Sequence, residues 1–278
     1  MNSIDRYAVI GHGLSHSRSP QIHALFAQST GQSMQYGLID VPAAGFAPAV
    51  RDFFAGGGRG LNVTIPHKES ALALTTRLTP RARRAGAVNT LAPGAGTDAN
   101  ALLGDNTDGA GLVRDLTVNL GYALTGARVL LLGAGGAARG VIAPLLEGGV
   151  SELLIHNRNP ARARQLAQEF ADLGPIRECG ASGSGFDLII NATSASLRDE
   201  VPLVPAQACG PGTVCYDLAY GAAETAFMRW ARGAGAAGAL MGLGMLVEQA
   251  AESFLLWRGV RPDTAPVLAA LASALPEN

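Results

Sequence analysis

Arg128-Val-Leu-Leu-Leu-Gly133-Ala-Gly135-Gly136-Ala137-Ala138 reads as an apolar strand, a glycine-rich turn and the start of a helix. It fits the pattern G-x-G-x-x-A, with Ala138 in the last place. Gly133 allows the tight turn, Gly135 lets backbone approach a pyrophosphate, and the small Ala138 permits close helix–strand packing. The phosphates of a dinucleotide would rest on the N–H groups at the helix start. In a chain with 36 glycines such a motif means little by itself. Its weight comes from its place, at the opening of a βαβ unit.

Working outward, the order after this turn is helix Ala137–Leu146, strand Glu152–His156 and helix Ala161–Phe170, with further buried strands at Phe186–Ile190 and Thr213–Leu218. Met245–Trp257 and Thr264–Leu275 read as helices. Before the turn, strands are expected at Tyr7–Gly11, Tyr36–Val41, Gly60–Ile65 and Ala87–Leu91, with helices Pro20–Gln28 and Gly109–Leu120 and a turn cluster at Pro93–Thr97. Strands alternating with helices predict an α/β fold with mainly parallel sheets.

The end of the second strand of the βαβ unit bears on cofactor choice. A site for NAD usually carries Asp or Glu there, about 20 residues after the glycines, to hold the ribose hydroxyls. This strand ends His156-Asn157-Arg158-Asn159, with Arg162 just beyond. No carboxylate repels a 2′-phosphate and two guanidiniums could pair with it, although both could also be solvated charges at a helix start. The missing acid and the added cations together favour NADP.

Composition excludes several classes. The 278 residues suffice for two domains, and with 48% apolar and 15% charged residues the chain is expected to fold into packed cores. A net charge of −1 with no basic face argues against nucleic acid as a partner. No apolar run is long enough for a membrane span, and Tyr7–Gly11 is too short for a secretory signal, so a cytoplasmic protein is expected. Three cysteines without a C-x-x-C pair suggest neither a disulfide framework nor a metal site. Of 21 basic residues one alone is lysine, Lys68, which leaves 20 arginines. Arginine holds its proton at any ordinary pH, whereas lysine can give its proton up. Lys68 is either a leftover surface cation or a residue kept for proton transfer.

Three polar clusters fall just beyond expected strands, where α/β sheets bind ligands. Ser15-His-Ser17-Arg-Ser19-Pro20 precedes a helix; Ser19 could be a plain N-cap, or Ser17 and Ser19 could offer hydroxyls to a carboxylate. Asn62-Val-Thr64-Ile-Pro-His-Lys68 alternates as a strand and then delivers the lysine. Gly104-Asp-Asn-Thr-Asp108-Gly109 is either a capping turn or a source of a carboxylate. A nicotinamide site ringed by Ser, Thr, Asn, Lys and Asp suits reduction of a small polyhydroxy acid. Hydride goes to a carbonyl carbon, and an ammonium beside a carboxylate can move the proton to and from the carbonyl oxygen.

These clusters, with Gly86-Ala-Val-Asn89-Thr90, Gly133–Ala137, Asn157-Arg158 with Arg162, Asn191-Ala-Thr-Ser194 and Gly242-Leu-Gly-Met-Leu246 with Gln249, resemble the shikimate dehydrogenase family over essentially the whole chain. The resemblance implies NADPH-dependent reduction of 3-dehydroshikimate to shikimate, on the way to chorismate and the aromatic amino acids. It implies Lys68 and Asp108 as the catalytic pair. Ser17 and Ser19 would hold the substrate carboxylate, assisted by Tyr220, while Thr64, Asn89, Asp108 and Gln249 would bind ring hydroxyls. Gly133, Ala134, Gly135, Gly136, Ala137, Asn157, Arg158, Asn159, Arg162, Leu218 and Gly242 would contact NADP, and no metal is implied. It further implies a substrate domain over 1–108, a Rossmann NADP domain over 109–241, and helices in 242–278 that return to the substrate domain. The expected partners are the small-molecule substrate and NADP, for a monomer or homodimer that binds neither nucleic acid nor membrane. Two positions depart from the family pattern: Met241 stands where Asp precedes Gly-Leu-Gly, and Pro80 where an acid follows the Leu-Thr pair. A quinate or dual-specificity dehydrogenase and a non-catalytic NADPH-sensing regulator are the alternatives. The retention of both Lys68 and Asp108 speaks against the regulator.

Overall fold

The chain forms two six-stranded sheets with helices, and the computed structural model describes residues 4–94, 101–221 and 223–274. In the N-terminal part β1 (Asp5–Gly11), α1 (Ser19–Thr30), β2 (Met34–Asp40), α2 (Phe46–Ala55), β3 (Gly58–Val63) and α3 (Lys68–Leu72) follow one another. Then come β4 (Arg77–Leu78), α4 (Pro80–Ala85), β5 (Thr90–Pro93), β6 (Leu102–Asp105) and α5 (Asp108–Arg114). The strand order is β2-β1-β3-β5-β6-β4. β1 lies parallel to β2 and β3, and β4 parallel to β6, whereas β5 runs antiparallel to both its neighbours.

The strand expected at Ala87–Leu91 therefore forms three residues later and in the opposite sense to β3. Gly86 ends α4 in the left-handed region (φ 61°), and residues 87–89 then cross between neighbours. Val88 N–H donates to Lys68 O (2.8 Å) and Asn89 N–H to Asp105 O (3.0 Å). Those two bonds bring the segments of Lys68, Asn89 and Asp105 together. The turn expected at 93–97 lies, from residue 95 on, outside the described residues.

The second part is built as the glycine motif requires. β7 (Arg128–Leu132), α6 (Gly136–Glu147), β8 (Glu152–His156), α7 (Pro160–Glu169), β9 (Ile176–Glu178), β10 (Leu188–Asn191), β11 (Val214–Asp217), α8 (Ala226–Gly233) and β12 (Gly238–Met241) give the order β12-β11-β10-β7-β8-β9, all parallel. β7, β8 and β10 are buried along nearly their whole length, as strands covered by helices on both faces must be. The order reverses between β7 and β10, and ligands of such sheets bind beyond the strand C-termini at that switch point.

The chain ends with α9 (Leu243–Arg258) and α10 (Ala265–Ala272). It divides into one compact unit containing residues up to Gly111 with Leu246–Ala272, and a second containing Leu112–Met245. These limits fall a few residues after 108 and 241 because α5 and α9 run through them. Among the described residues no helix is long and apolar enough to cross a membrane.

The first unit buries an aromatic cluster beside its sheet. His23, with no exposed surface, stacks on Tyr36 (centroids 4.1 Å apart, 7° between planes) and meets the edge of Phe26 at 5.9 Å. Burial pushes the His23 imidazole down from 6.5 to about 3, against a smaller opposing pull from Asn62. Because the folded value is depressed, the neutral ring's contribution is complete above pH 6.5 and is lost as pH falls from 6.5 towards 3. The loss runs at about 1.4 kcal/mol per pH unit. Between pH 6.5 and 4, the urea midpoint of the first unit should fall with this one-proton slope, followed through Trp257 in a Trp230→Phe background. His23→Phe, which keeps an aromatic ring there, should remove that slope. An unchanged pH dependence would show that another group governs acid sensitivity.

Candidate active site

Lys68 is the first residue of α3, and its Nζ donates to Asp108 Oδ2 at 2.5 Å. Their side chains are 14% and 5% exposed, so the pair is shielded from bulk water but not sealed. The other carboxylate oxygen of Asp108 accepts from Asn89 Nδ2 at 2.9 Å. Asn89 Nδ2 also donates to Thr107 Oγ1 (2.8 Å) and approaches Gln249 Oε1 (3.3 Å). Lys68, Asn89, Asp108 and Gln249 thus form one cluster within the first unit. Asn89 is 2% exposed, and its amide protons are already engaged by protein groups.

The turn carrying Asp108 is held from behind. Asp105, 1% exposed, accepts from Arg81 through both oxygens (2.8 and 2.6 Å) and from Thr79 Oγ1 (2.5 Å). Burial would raise this carboxyl, but the Arg81 guanidinium and the bonds from Thr79 and the Asn106 N–H together outweigh it, and the carboxyl lies below its usual range. Arg81 also reaches Glu252 of α9 (2.9 Å), which fixes the helix that carries Gln249. Pro80 opens α4 behind a Thr79 cap, a position where its fixed φ suits a helix start.

Ser17 and Ser19 lie on the turn after β1. Ser19 is the first residue of α1 and not its N-cap, which is Arg18. Ser17 Oγ accepts from Ser19 N–H at 3.3 Å, so the capping expected of Ser19 is supplied in part by Ser17. Asp40, at the end of β2, accepts from Gly13 N–H (3.1 Å) and Leu14 N–H (2.8 Å) and thereby shapes this turn. Thr64 follows β3 and is partly exposed, with its backbone N–H bonded to Ile10 O (3.0 Å). Tyr220 lies in the second unit, beyond β11, and so is not on the same unit as the two serines it was expected to assist.

The second unit supplies the dinucleotide cradle. Gly133 has φ 108°, which disfavours any side chain, and a Cβ there would press on the Ala192 backbone at 3.2 Å. A Cβ on Gly135 would meet nothing within 4 Å, so its absence leaves open space in front of the α6 N-terminus, where Gly135 is the cap. Ala134 is buried, and Gly136 and Ala137 begin the helix. At the end of β8, Asn157 Nδ2 donates to Asn159 O (2.9 Å), and Asn159 caps α7 through Ala161 N–H (3.0 Å). Arg158 and Arg162 are exposed and make no hydrogen bond or ion pair among the described residues. Leu218 and Gly242 are brought together: a Cβ on Gly242 would stand 2.7 Å from Leu218 O. These features fit a dinucleotide bearing a 2′-phosphate. Among the described residues no cluster of His, Cys, Asp and Glu could hold a metal ion.

Sequence reasoning missed the groups that organise these sites. Asn62, Thr90 and Ser253 are buried around Asn89. Asp217, fully buried, accepts from Asn191 Nδ2 (3.1 Å), Ala219 N–H (3.0 Å), Ser196 Oγ (2.6 Å) and Thr225 Oγ1 (2.7 Å). Burial raises its carboxyl despite these four donors. It ties together the loops that follow β10 and β11. The N-A-T-S stretch signalled one partner, Asn191; nothing local signalled the rest.

Residues 9–91 match the family described as shikimate dehydrogenase substrate binding domain, 116–200 match shikimate/quinate 5-dehydrogenase, and 242–272 match the shikimate 5′-dehydrogenase C-terminal domain. A protein of Alkalilimnicola ehrlichii named shikimate dehydrogenase (NADP(+)) is 57% identical, covering 96% of this chain and 98% of the relative. Among solved structures, the Ael1 enzyme of Pseudomonas putida has a TM-score of 0.85 at 45% identity, covering 96% of this chain and 98% of its own. The shikimate 5-dehydrogenase of Thermus thermophilus, solved with NADP(H) and shikimate, has a TM-score of 0.83 at 35% identity, covering 98% of this chain and 100% of its own. With the paired lysine and aspartate in one unit and the glycine cradle in the other, the chain belongs to the shikimate dehydrogenase family.

Proposed function

We propose that the protein catalyses the reversible, NADPH-dependent reduction of 3-dehydroshikimate to shikimate in the cytoplasm. The observation that carries this reading is the shielded Lys68–Asp108 pair at 2.5 Å in a chain of this family. NADPH, when bound, supplies the hydride to the ring ketone carbon. The Lys68 ammonium gives its proton to the carbonyl oxygen, and in the reverse direction the neutral amine takes the hydroxyl proton. Asp108 holds the amine in place and stabilises its charged form. Ser17 and Ser19 hold the substrate carboxylate, assisted by Tyr220. Thr64, Asn89, Asp108 and Gln249 select the ring hydroxyls.

The cofactor is held by Gly133–Ala137, Asn157, Asn159, Leu218 and Gly242, with Arg158 and Arg162 on the 2′-phosphate. A charge-assisted bond is worth roughly 1.5–3 kcal/mol. Arg158→Ala should therefore weaken NADP binding about ten- to a hundredfold and leave NAD binding nearly unchanged. The check is the NADP/NAD ratio of kcat/KM in the parent and the variant, at one low salt concentration. An unaltered ratio would take Arg158 out of cofactor choice.

The reaction itself is tested by following reduced nicotinamide absorbance with shikimate or quinate offered with NADP or NAD. Shikimate with NADP should be the fastest of the four combinations. Preference for quinate would move the assignment to the broader dehydrogenase, and no turnover with any combination would favour the regulator.

A further inference from the structure

We propose that Ser253 and Thr90 are positioning residues for proton transfer, acting through Asn89 to hold Asp108 against Lys68. This rests on the reading of Lys68 and Asp108 as the acid–base pair. Beneath that pair the protein buries a continuous line of hydrogen bonds that runs in one direction. Tyr36 Oη donates to Asn62 Oδ1 (2.7 Å), and Asn62 Nδ2 donates to Ser253 Oγ (2.8 Å). Ser253 Oγ and Thr90 Oγ1 are 2.8 Å apart, and Thr90 Oγ1 donates to Asn89 Oδ1 at 2.8 Å. A threonine hydroxyl has one proton, so with Thr90 donating to Asn89 the proton between the two hydroxyls comes from Ser253. Asn89 Nδ2 then donates to Asp108 Oδ1 (2.9 Å), whose partner oxygen holds Lys68.

The line fixes which way the Asn89 amide points. Its oxygen receives both Thr90 Oγ1 and Thr107 N–H, each at 2.8 Å. Turning the amide over would set its NH2 against the Thr107 N–H, donor to donor, and would present an oxygen to the Asp108 carboxylate. Thr90 and Ser253 have no exposed surface, and Asn62 and Asn89 are 6% and 2% exposed. Groups buried this deeply are shut off from bulk solvent, so each missing proton in the line costs an unsatisfied bond. Ser253 belongs to α9, one turn beyond Gln249, and its Oγ lies 3.1 Å from Gln249 O; with its single proton given to Thr90, that approach is not a second donated bond. Ser253 is buried without exposed surface, where an alanine would serve packing as well.

The test separates hydroxyl from volume at Thr90. Thr90→Val keeps the shape and removes the hydroxyl; Thr90→Ser removes the methyl and keeps the hydroxyl. Each is compared with Ser253→Ala by initial rates with shikimate and NADP, per mole of folded protein, well below the melting temperature. Because Thr107 N–H still orients Asn89, the effect should be intermediate. We expect kcat to fall roughly 5- to 30-fold in Thr90→Val and Ser253→Ala. KM for NADP should stay the same, and Thr90→Ser should recover most of the loss. The proposal is overturned if the Val and Ala variants turn over like the parent with only a lower melting temperature. It is equally overturned if Thr90→Ser is as damaged as Thr90→Val, or if both hydroxyl-free variants fail to fold, since the hydroxyls would then serve the fold first. An inactive parent would instead refute the reaction proposed above, so the two failures are distinct.

Discussion

Lys68→Ala should lower turnover of shikimate by roughly 10²–10⁴-fold, the span expected for a lost general acid–base group. No neighbour can replace it, because Lys68 is the sole lysine in the sequence. The arginines keep their protons, so they cannot take over the exchange. The backbone at this position should survive the change: Lys68 opens α3, alanine suits a helix, and Lys68 O can still accept from Val88 N–H. What is lost is the cation facing Asp108, which is 3% exposed. Leaving that carboxylate without its partner should cost on the order of 1–3 kcal/mol of stability. NADP titration reports on the other unit and should give the parent affinity, showing that the loss lies in chemistry. Full activity in the variant would remove Lys68 from the mechanism.

Asp108→Asn should reduce kcat by roughly 10²–10³-fold and also raise KM for shikimate. The two oxygens of Asp108 face two different donors, Asn89 Nδ2 and Lys68 Nζ. An asparagine can offer an oxygen to one of them only. Its NH2 must then confront the other donor, so either the lysine or Asn89 is displaced. Both effects point the same way because one side chain orients the proton carrier and accepts a ring hydroxyl. Steady-state kinetics with shikimate varied at saturating NADP checks the prediction. A change in KM with kcat intact would reduce Asp108 to a binding group.

The parts of the fold most legible in sequence were those buried on both faces. β7 and β8 occupy the expected residues because such strands are written as unbroken apolar runs between turn signals. The direction of β5 could not be read, since alternation is the same for parallel and antiparallel strands. α2 carries apolar residues at Phe46, Val50 and Phe53, but Pro48 and the following glycines obscure the pattern. α4 is rich in arginine and buries only two alanines, so it has almost no apolar stripe to find. At the site, Lys68 stood out by composition and Asp108 by its place after a strand. Asn62 and Ser253 are 191 residues apart and meet at 2.8 Å, a relation no local window contains. Tyr220, expected to assist Ser17 and Ser19, belongs to the second unit, a placement that no local pattern signalled.

The most direct test of the account uses the single lysine. An amine-selective reagent is titrated against the parent enzyme, and peptide mass spectrometry reports labelling of Lys68 separately from the N-terminal amine. Loss of shikimate oxidation should follow Lys68 labelling one for one, and saturating shikimate should slow both together. Labelling of Lys68 without loss of activity, or inactivation that shikimate does not slow, would contradict the assignment of Lys68 and Asp108 as the proton-transfer pair.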